Sequence, residues 1–485
     1  MGIDKVASAT RWARAHVPEL CVFVLGILLR LSMALTYDAR TGWDFNAHWP
    51  HIMYIVQRHE LPPLVYNTTA CHPPLYHLIG AALVTLGLSS GALGWLSALW
   101  GMLRLALIWW GLERWLPASR LARVVALALA AVIPASVHLE GMITNEVLVM
   151  VLSAGALVAV PWAIAAARVG RVGPMVALAL LVALAMMAKI SASVLVTSVA
   201  AAVALEIVRA RPSWWPALRA RALPLIAGAV VLASITGPFF VRNQILYGQT
   251  APSAYEGYLR LNQAPFKAIP YFQRRPLAFY LGWNLGIYSH PVTPTGLKPE
   301  PRFFPVLIAT TFNDYYVFSY SGGARFYGRR WISPAAMTLG SLSVAGGTII
   351  ALVTVLAWFG AVRALWRRKE DGEPDPRFAL LLAPLGALIG QLHFAIKYPN
   401  DNFGPIKGAY LQFIAPVLCA LFGVGVAWMW RRARGRWLWR GAALIAMGAV
   451  ALVAVYSVHA RFPRFGKDAN RQGPFFFEPA AAKWK

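Results

Sequence analysis

The sequence is poor in charge, and poorest in carboxylates. Of its 485 residues only 13% are Asp, Glu, Lys or Arg, and Asp plus Glu number 19 against 45 Lys plus Arg. Soluble domains carry about a quarter of their residues charged, so an ordinary water-exposed globule is excluded. Cysteine is scarce as well: Cys21, Cys71 and Cys419 are the full complement, with no CxxC pair. That removes a disulfide framework and a zinc site built on cysteine spacing. No internal repeat is detectable, and no stretch outside the apolar blocks reads as a separate soluble domain.

What the chain has instead is apolar sequence. Hydrophobic residues make up 58% of it, and the mean hydropathy is +0.55. Blocks of the roughly 17 to 25 residues that a helix needs to cross a bilayer recur from "CVFVLGILLRLSMALTY" to "GAALIAMGAVALVAVYSV". The first block lacks a small-residue cleavage site and runs on into a polar loop, so it reads as a retained span rather than a signal peptide. The formal charge of +26 does not indicate nucleic acid, because the arginines sit in short clusters between apolar blocks. That is how topology signals are arranged.

Blocks and clusters together predict an all-α polytopic membrane protein of about eleven spans. They fall near residues 18–37, 93–113, 121–138, 145–166, 174–188, 190–208, 222–241, 337–362, 378–396, 408–430 and 440–459. Each expected inside loop is arginine-rich: Arg11 and Arg14, then Arg114, Arg120 and Arg123, Arg168 and Arg171, Arg209 to Arg221, "RALWRRK" and "RRARGR". The register holds if "PPLYHLIGAALVTLGLS", Pro73 to Ser89, lies at the interface or re-enters instead of crossing. This register puts the cationic tail 461–485 outside, which leaves an even count, twelve, open. The expected organisation is an N-terminal membrane module 1–241 with a first outside loop 38–91 and a second, acidic one 138–146, a long outside loop 242–336, C-terminal spans 337–460 and the tail. Loops as long as the two large ones are functional more often than connective.

Candidate chemistry collects at the outer ends of these spans. "GWDFNAHWPHIMYIV" places Asp44, His48 and His51 at i, i+4 and i+7, one face of a helix. Pro50 favours a helix starting near itself, with Asp44 and His48 in the preceding turn. Asp44 then reads equally as a helix cap or as a catalytic carboxylate. His72 precedes the proline pair of "CHPPLYH" at a helix N-terminus, a place suited to an anion. "SVHLEGMITNEVLVM" puts His138, Glu140, Asn145 and Glu146 in a short outside turn, where carboxylates beside hydrocarbon need a reason. The plain alternative for Glu146 is to favour the start of its own helix, with Thr144 as cap. Lys189 lies between two apolar blocks, Arg30 inside the first, and Arg242 at the outer end of the seventh. "KYPNDNFGPIKGAYLQFIAPVL" brings Lys397, Lys407 and Tyr410 to the mouth of the ninth and tenth, where paired lysines suit a phosphate.

The order of these features resembles the GT-C class of membrane glycosyltransferases, in the branch of protein O-mannosyltransferases and aminoarabinose transferases. An arginine in the first span, Asp44 with His48 four residues on, "HPPLY" opening a short helix and an acid in the second outside loop follow one another as in that branch. "LALLVALAMMAKISASVLV", "VRNQILYG" and "KGAYLQFIAPVL" continue the series. The resemblance implies inverting transfer from a polyprenyl-phosphate-linked sugar to a glycan, lipid or protein acceptor, at the outer face of the plasma membrane. It implies Asp44 and Glu146 as catalytic and His72 as the basic residue before the proline pair, and the chemistry of the residues adds His48, Asn145, Arg242, Lys397, Lys407 and Tyr410 as substrate-binding. No cofactor is required by the residues, and a divalent cation is allowed. Two departures stand out: Phe45 follows Asp44 where the class has glutamate, and Ala409 precedes Tyr410 where it has arginine. Two other readings remain, a secondary transporter and a lipid- or polymer-modifying enzyme with a different donor. The lack of repeat symmetry and the unequal outside loops argue against the transporter.

Overall fold

The structure is a computed structural model that describes residues 16–37, 39–41, 45–210, 213–254, 268–292, 302–315, 334–367, 375–399, 405–433 and 436–460. Among these residues there are helices and no strands. The longer helices are α1 (Val17–Thr36), α2 (Phe45–Arg58), α3 (Leu75–Thr85), α4 (Ser90–Trp115), α5 (Arg120–Val132), α6 (Pro134–Leu139), α7 (Asn145–Arg168), α8 (Gly173–Ala188), α9 (Ser193–Arg209), α10 (Trp214–Tyr247), α11 (Phe303–Phe312), α12 (Pro334–Arg367), α13 (Phe378–Lys397), α14 (Ala415–Arg432) and α15 (Trp437–Ala460). Among the described residues, nine segments are long and apolar enough to cross a membrane. They correspond to α1, α4, α7, α9, α10, α12, α13, α14 and α15, the other two of the eleven expected places, 121–138 and 174–188, being held by α5–α6 and α8, which are shorter. The chain is a multi-pass membrane protein.

The shorter elements have local causes. The block expected at 121–138 is broken in two because Pro134 cannot donate a backbone hydrogen bond, and its ring opens α6 instead. α3, at 11 residues, is about 16 Å long and cannot span a core of about 30 Å. Starts are set by side chains: the Ser89, Ser119 and Thr144 hydroxyls accept from the Ala92, Ala122 and Glu146 amides. α10 runs past the expected end at 241 and stops at Gly248, whose φ of +67° is the left-handed conformation that glycine adopts at no steric cost. Arg242 is therefore in a helix rather than at a loop entrance. The late "GAYLQFI" segment, expected to begin a span, is a 3-10 helix, Gly408–Ile414, leading into α14.

Ion pairs sort the helix ends as the arginine clusters predict. At one end Glu19, in the first turn of α1, meets Arg120 and Arg123 at the start of α5. Glu206 in α9 meets Arg168 of α7 and Arg221 of α10. Arg377, before α13, donates to the Trp115 carbonyl at the end of α4. α7 and α14 are apolar on nearly every face and form the interior, with the other helices around them.

A buried ionic knot lies at the opposite end. Glu140, expected in a water-bordering turn, is fully enclosed, with its carboxylate 2.8 Å from the Arg30 guanidinium of α1 and 2.9 Å from that of Arg104 in α4. Arg30 also donates to the Gly26 and Ala131 carbonyls, and Arg104 to that of Gln412. Gln412 in turn accepts from Ser136 and donates to Gly408. Gly101 leaves room for the knot: a Cβ there would stand 2.7 Å from the Glu140 carboxyl carbon. An ion pair this enclosed persists because each charge is held by another. Replacing Glu140 with alanine leaves two buried guanidinium groups uncompensated, so thermal unfolding in detergent should show a loss of about 3–5 kcal/mol. Glu60→Gln, on an exposed side chain, should leave the midpoint unchanged; a Glu140→Ala protein as stable as the wild type would contradict this account.

Candidate active site

At the same end as the Glu140 knot, residues from four distant parts of the chain meet. Thr144 caps α7, and this fixes the next two side chains at the helix N-terminus. Asn145 donates through Nδ2 to the Ala188 carbonyl at 2.9 Å and to His72 Nδ1 at 3.2 Å. Because Nδ1 accepts, a neutral His72 carries its proton on Nε2 and is a donor there. Glu146 pairs with Lys189, the residue that ends α8. Its plain reading is half right: Thr144 is the cap, but the Glu146 carboxylate is engaged by an ammonium rather than left to its own helix.

Lys189 then links to the late segment. Its Nζ stands 4.5 Å from the Tyr410 ring centroid, and the Lys407 Nζ lies 5.6 Å from the same ring, distances at which ring and cation attract. Tyr410 is positioned by its backbone: Gly408 donates to Thr310 at 2.8 Å, and a Cβ at 408 would stand 2.2 Å from the Thr311 hydroxyl. This close passage against α11 is open only to glycine. Ala409, where the class resembled has arginine, packs against an apolar group of Leu139, Val147 and Met150.

Some expected residues lie elsewhere. Asp44 is outside the described residues. Arg242 bonds to Asn243 and faces the Tyr247 ring, both on its own helix. Lys397 ends α13 against the Tyr398 ring. His48 is not in a turn before Pro50: α2 starts at Phe45, before both, and the proline is accommodated in its second turn, close to where a missing amide costs least. His48 and His51, one turn apart, are each 1% exposed.

Those two rings, with His77 of α3, form a histidine stack. His51 and His77 lie nearly parallel at 3.6 Å between centroids, and His48 Nδ1 is 2.9 Å from His77 Nε2. Thr69 sits within 3.2 Å of His51 Nδ1 and donates to the Ala47 carbonyl, while Asn67 donates to the same carbonyl. The stack joins α2 to α3 and thus fixes the segment that carries His72. Burial holds the His48 and His77 imidazoles well below their usual range, reinforced at both by His51, at His48 by Lys189, and at His77 by His48 and His72. Burial lowers His51 to about 3. His77 and Arg104 were missed in the sequence, although each carries a signal: a second histidine after the proline pair, and a lone arginine in an apolar run.

The sequence matches no family model and no curated protein. Solved structures do match. An oligosaccharyltransferase of Archaeoglobus fulgidus, in complex with zinc and sulfate, superposes with a TM-score of 0.52 at 14% identity, over 91% of this chain and 53% of that one. The same organism's oligosaccharyltransferase AglB, with an inhibitory peptide and a dolichol-phosphate, gives 0.46 at 15% identity over 93% and 56%. ArnT from Cupriavidus metallidurans, bound to undecaprenyl phosphate, gives 0.35 at 13% identity over 88% and 80%. The chain spans about half the length of the oligosaccharyltransferases it matches. The first likeness shows the fold alone, which this chain shares with the matched part of that oligosaccharyltransferase. Among the described residues no group of three His, Cys, Asp or Glu side chains is placed to hold a metal ion; the histidine stack presents ring faces to one another, and Glu146 is engaged by Lys189.

The histidine stack makes stability depend on pH in a definite direction. Its folded-state values lie below the unfolded value of about 6.5, so the unfolded chain takes up protons that the folded chain refuses. The stabilisation is complete above about pH 6.5 and falls as pH drops below it, by at most about 1.4 kcal/mol per pH unit for each histidine. Melting temperatures in detergent between pH 7.5 and 5 should therefore decline on the acid side. The decline should be shallower in His51→Phe; an equal slope would remove the stack as its source.

Proposed function

We propose that this protein is an inverting glycosyltransferase that moves a sugar from a polyprenyl-phosphate donor to an acceptor hydroxyl at the outer face of the plasma membrane. The observation that carries the proposal is the meeting of His72, Asn145, Glu146, Lys189 and Tyr410 at the N-terminus of α7. These residues come from the segments that the class resembled uses in the same order, and the fold shared with the oligosaccharyltransferase supports it.

The chemistry asks for two things. A carboxylate must take the acceptor proton as its oxygen attacks the anomeric carbon, and cations must hold the negative charge that collects on the phosphate as the sugar–phosphate bond breaks. Asp44 is assigned the first task. Lys189 and Lys407, which flank the Tyr410 ring, are assigned the second, with His72 Nε2 as a further donor. Lys407 thus takes the part of the arginine that Ala409 replaces, and Lys397 and Arg242 become outer members of the substrate-binding set. Glu146 and Asn145 position Lys189 and His72, and His48 supports the loop through the stack. The acceptor oxygen gains the bond that the phosphate loses, its proton passes to Asp44, and the product is polyprenyl phosphate. A divalent cation is compatible with this transfer and is not required by it. The donor's lipid tail accounts for a site at a helix end, where bilayer and water meet.

Asp44→Asn should abolish transfer, by about three orders of magnitude or more on the scale of lost general bases, with folding and membrane insertion unchanged. Glu146→Gln should reduce transfer strongly and raise KM for the donor. The measurement is mass spectrometry of lipid-linked sugars and envelope glycans with and without each variant. Full activity of Asp44→Asn would end the base assignment, and an unchanged glycan profile beside altered solute uptake would favour transport.

A further inference from the structure

The turn between α14 and α15, "AWMWRRARGRWLWRG", is unlike the other arginine-rich connections. It has no acidic neighbour in sequence, since no Asp or Glu occurs between Asp401 and Asp468. At the same end of the bundle, among the described residues, Glu19, Glu206 and Asp375 are each paired with arginines and Glu113 with His16. It also carries tryptophans at 428, 430, 437 and 439. A topology signal needs cations in a loop, but neither the tryptophans nor a cavity.

Here there is a cavity, of about 210 Å³, lined by Trp430, Arg431, Ala433 and Arg440. The two helices that carry it are joined by aromatic contacts: Trp428 meets Trp439 edge to face at 4.9 Å, tying α14 to α15, and the Arg432 guanidinium lies 4.7 Å from the Trp428 ring centroid. Trp430 and Trp437 remain 41% and 79% exposed. We infer that this cavity is a binding site for the phosphodiester headgroup of an anionic phospholipid, held between Arg431 and Arg440. Guanidinium groups grip phosphate oxygens in pairs. Tryptophan is the side chain most at home at headgroup depth, and basic recesses between membrane helices suit acidic lipids. Free inorganic phosphate shares the oxyanion but not the acyl chains. Trp430, which lines the cavity and is 41% exposed, is surface for such chains, so the lipid is the ligand assigned.

The test uses the full chain in dodecyl maltoside, with melting temperature followed as phosphatidylglycerol, phosphatidylcholine or inorganic phosphate is added. Phosphatidylglycerol should raise the midpoint by several degrees, and phosphatidylcholine or phosphate should not. R431Q/R440Q should lose the increment while its lipid-free midpoint stays within a degree of the wild type. W430A should weaken the increment without removing a charge, which keeps the inference testable if the double variant does not fold. R114Q/R219Q, lowering the charge equally at the same end, should retain it. The site is overturned if R431Q/R440Q responds like the wild type, if R114Q/R219Q loses the response equally, or if inorganic phosphate reproduces it.

Discussion

The arrangement depends on one buried carboxylate. Glu140 sits between two guanidinium groups from α1 and α4, and those arginines reach on to the Ala131 and Gln412 carbonyls. One knot thereby fixes the first helix, the fourth, the turn before α7 and the late 3-10 segment relative to one another. None of these charges could stand alone in so dry a place, since the cost of desolvation is met only when all are present and in register. The knot acts as a register device for the parts of the chain that carry Asn145, Glu146 and Tyr410. The candidate site is built on its outer side, where the same turn and the same late segment continue.

The two charged layers at this end differ in kind. In the knot the charges are sealed, and their partners are permanent parts of the fold. In the site they are nearer the surface: Lys189 and Glu146 have side-chain exposures of 12% and 5%, and Lys407 and Tyr410 are half-buried. A cation at such a depth can exchange one anionic partner for another without being returned to bulk water. That is the property the proposed transfer asks of the groups that receive a departing phosphate.

How far the sequence was readable follows from what each pattern depends on. Long apolar blocks and arginine clusters report local hydropathy, so the helices and the sorting of their ends emerge from composition alone. Pro134 dividing α5 from α6 and α10 continuing to Gly248 depend on backbone detail that hydropathy does not register. Lys189, Asn145 and Tyr410 could each be noticed, yet their meeting depends on how α7, α8 and the 408–414 segment pack, which no spacing encodes. Arg30 is the clearest case: as a lone arginine in a span it is conspicuous, but its partner lies 110 positions later, in a stretch whose pattern is that of a turn at the water.

The pairing of Glu146 with Lys189 also bears on which carboxylate does what under the proposed mechanism. The Glu146 carboxylate is in contact with the Lys189 ammonium, and that contact suits it to holding the lysine in place. When a donor phosphate arrives, Lys189 gains a second anionic partner, and Tyr410 confines it between the two. The proposed mechanism then gives the proton to the other acid, Asp44, which the ordered motifs supply. The division of labour follows from charge: one acid organises the cations, and the other receives the proton.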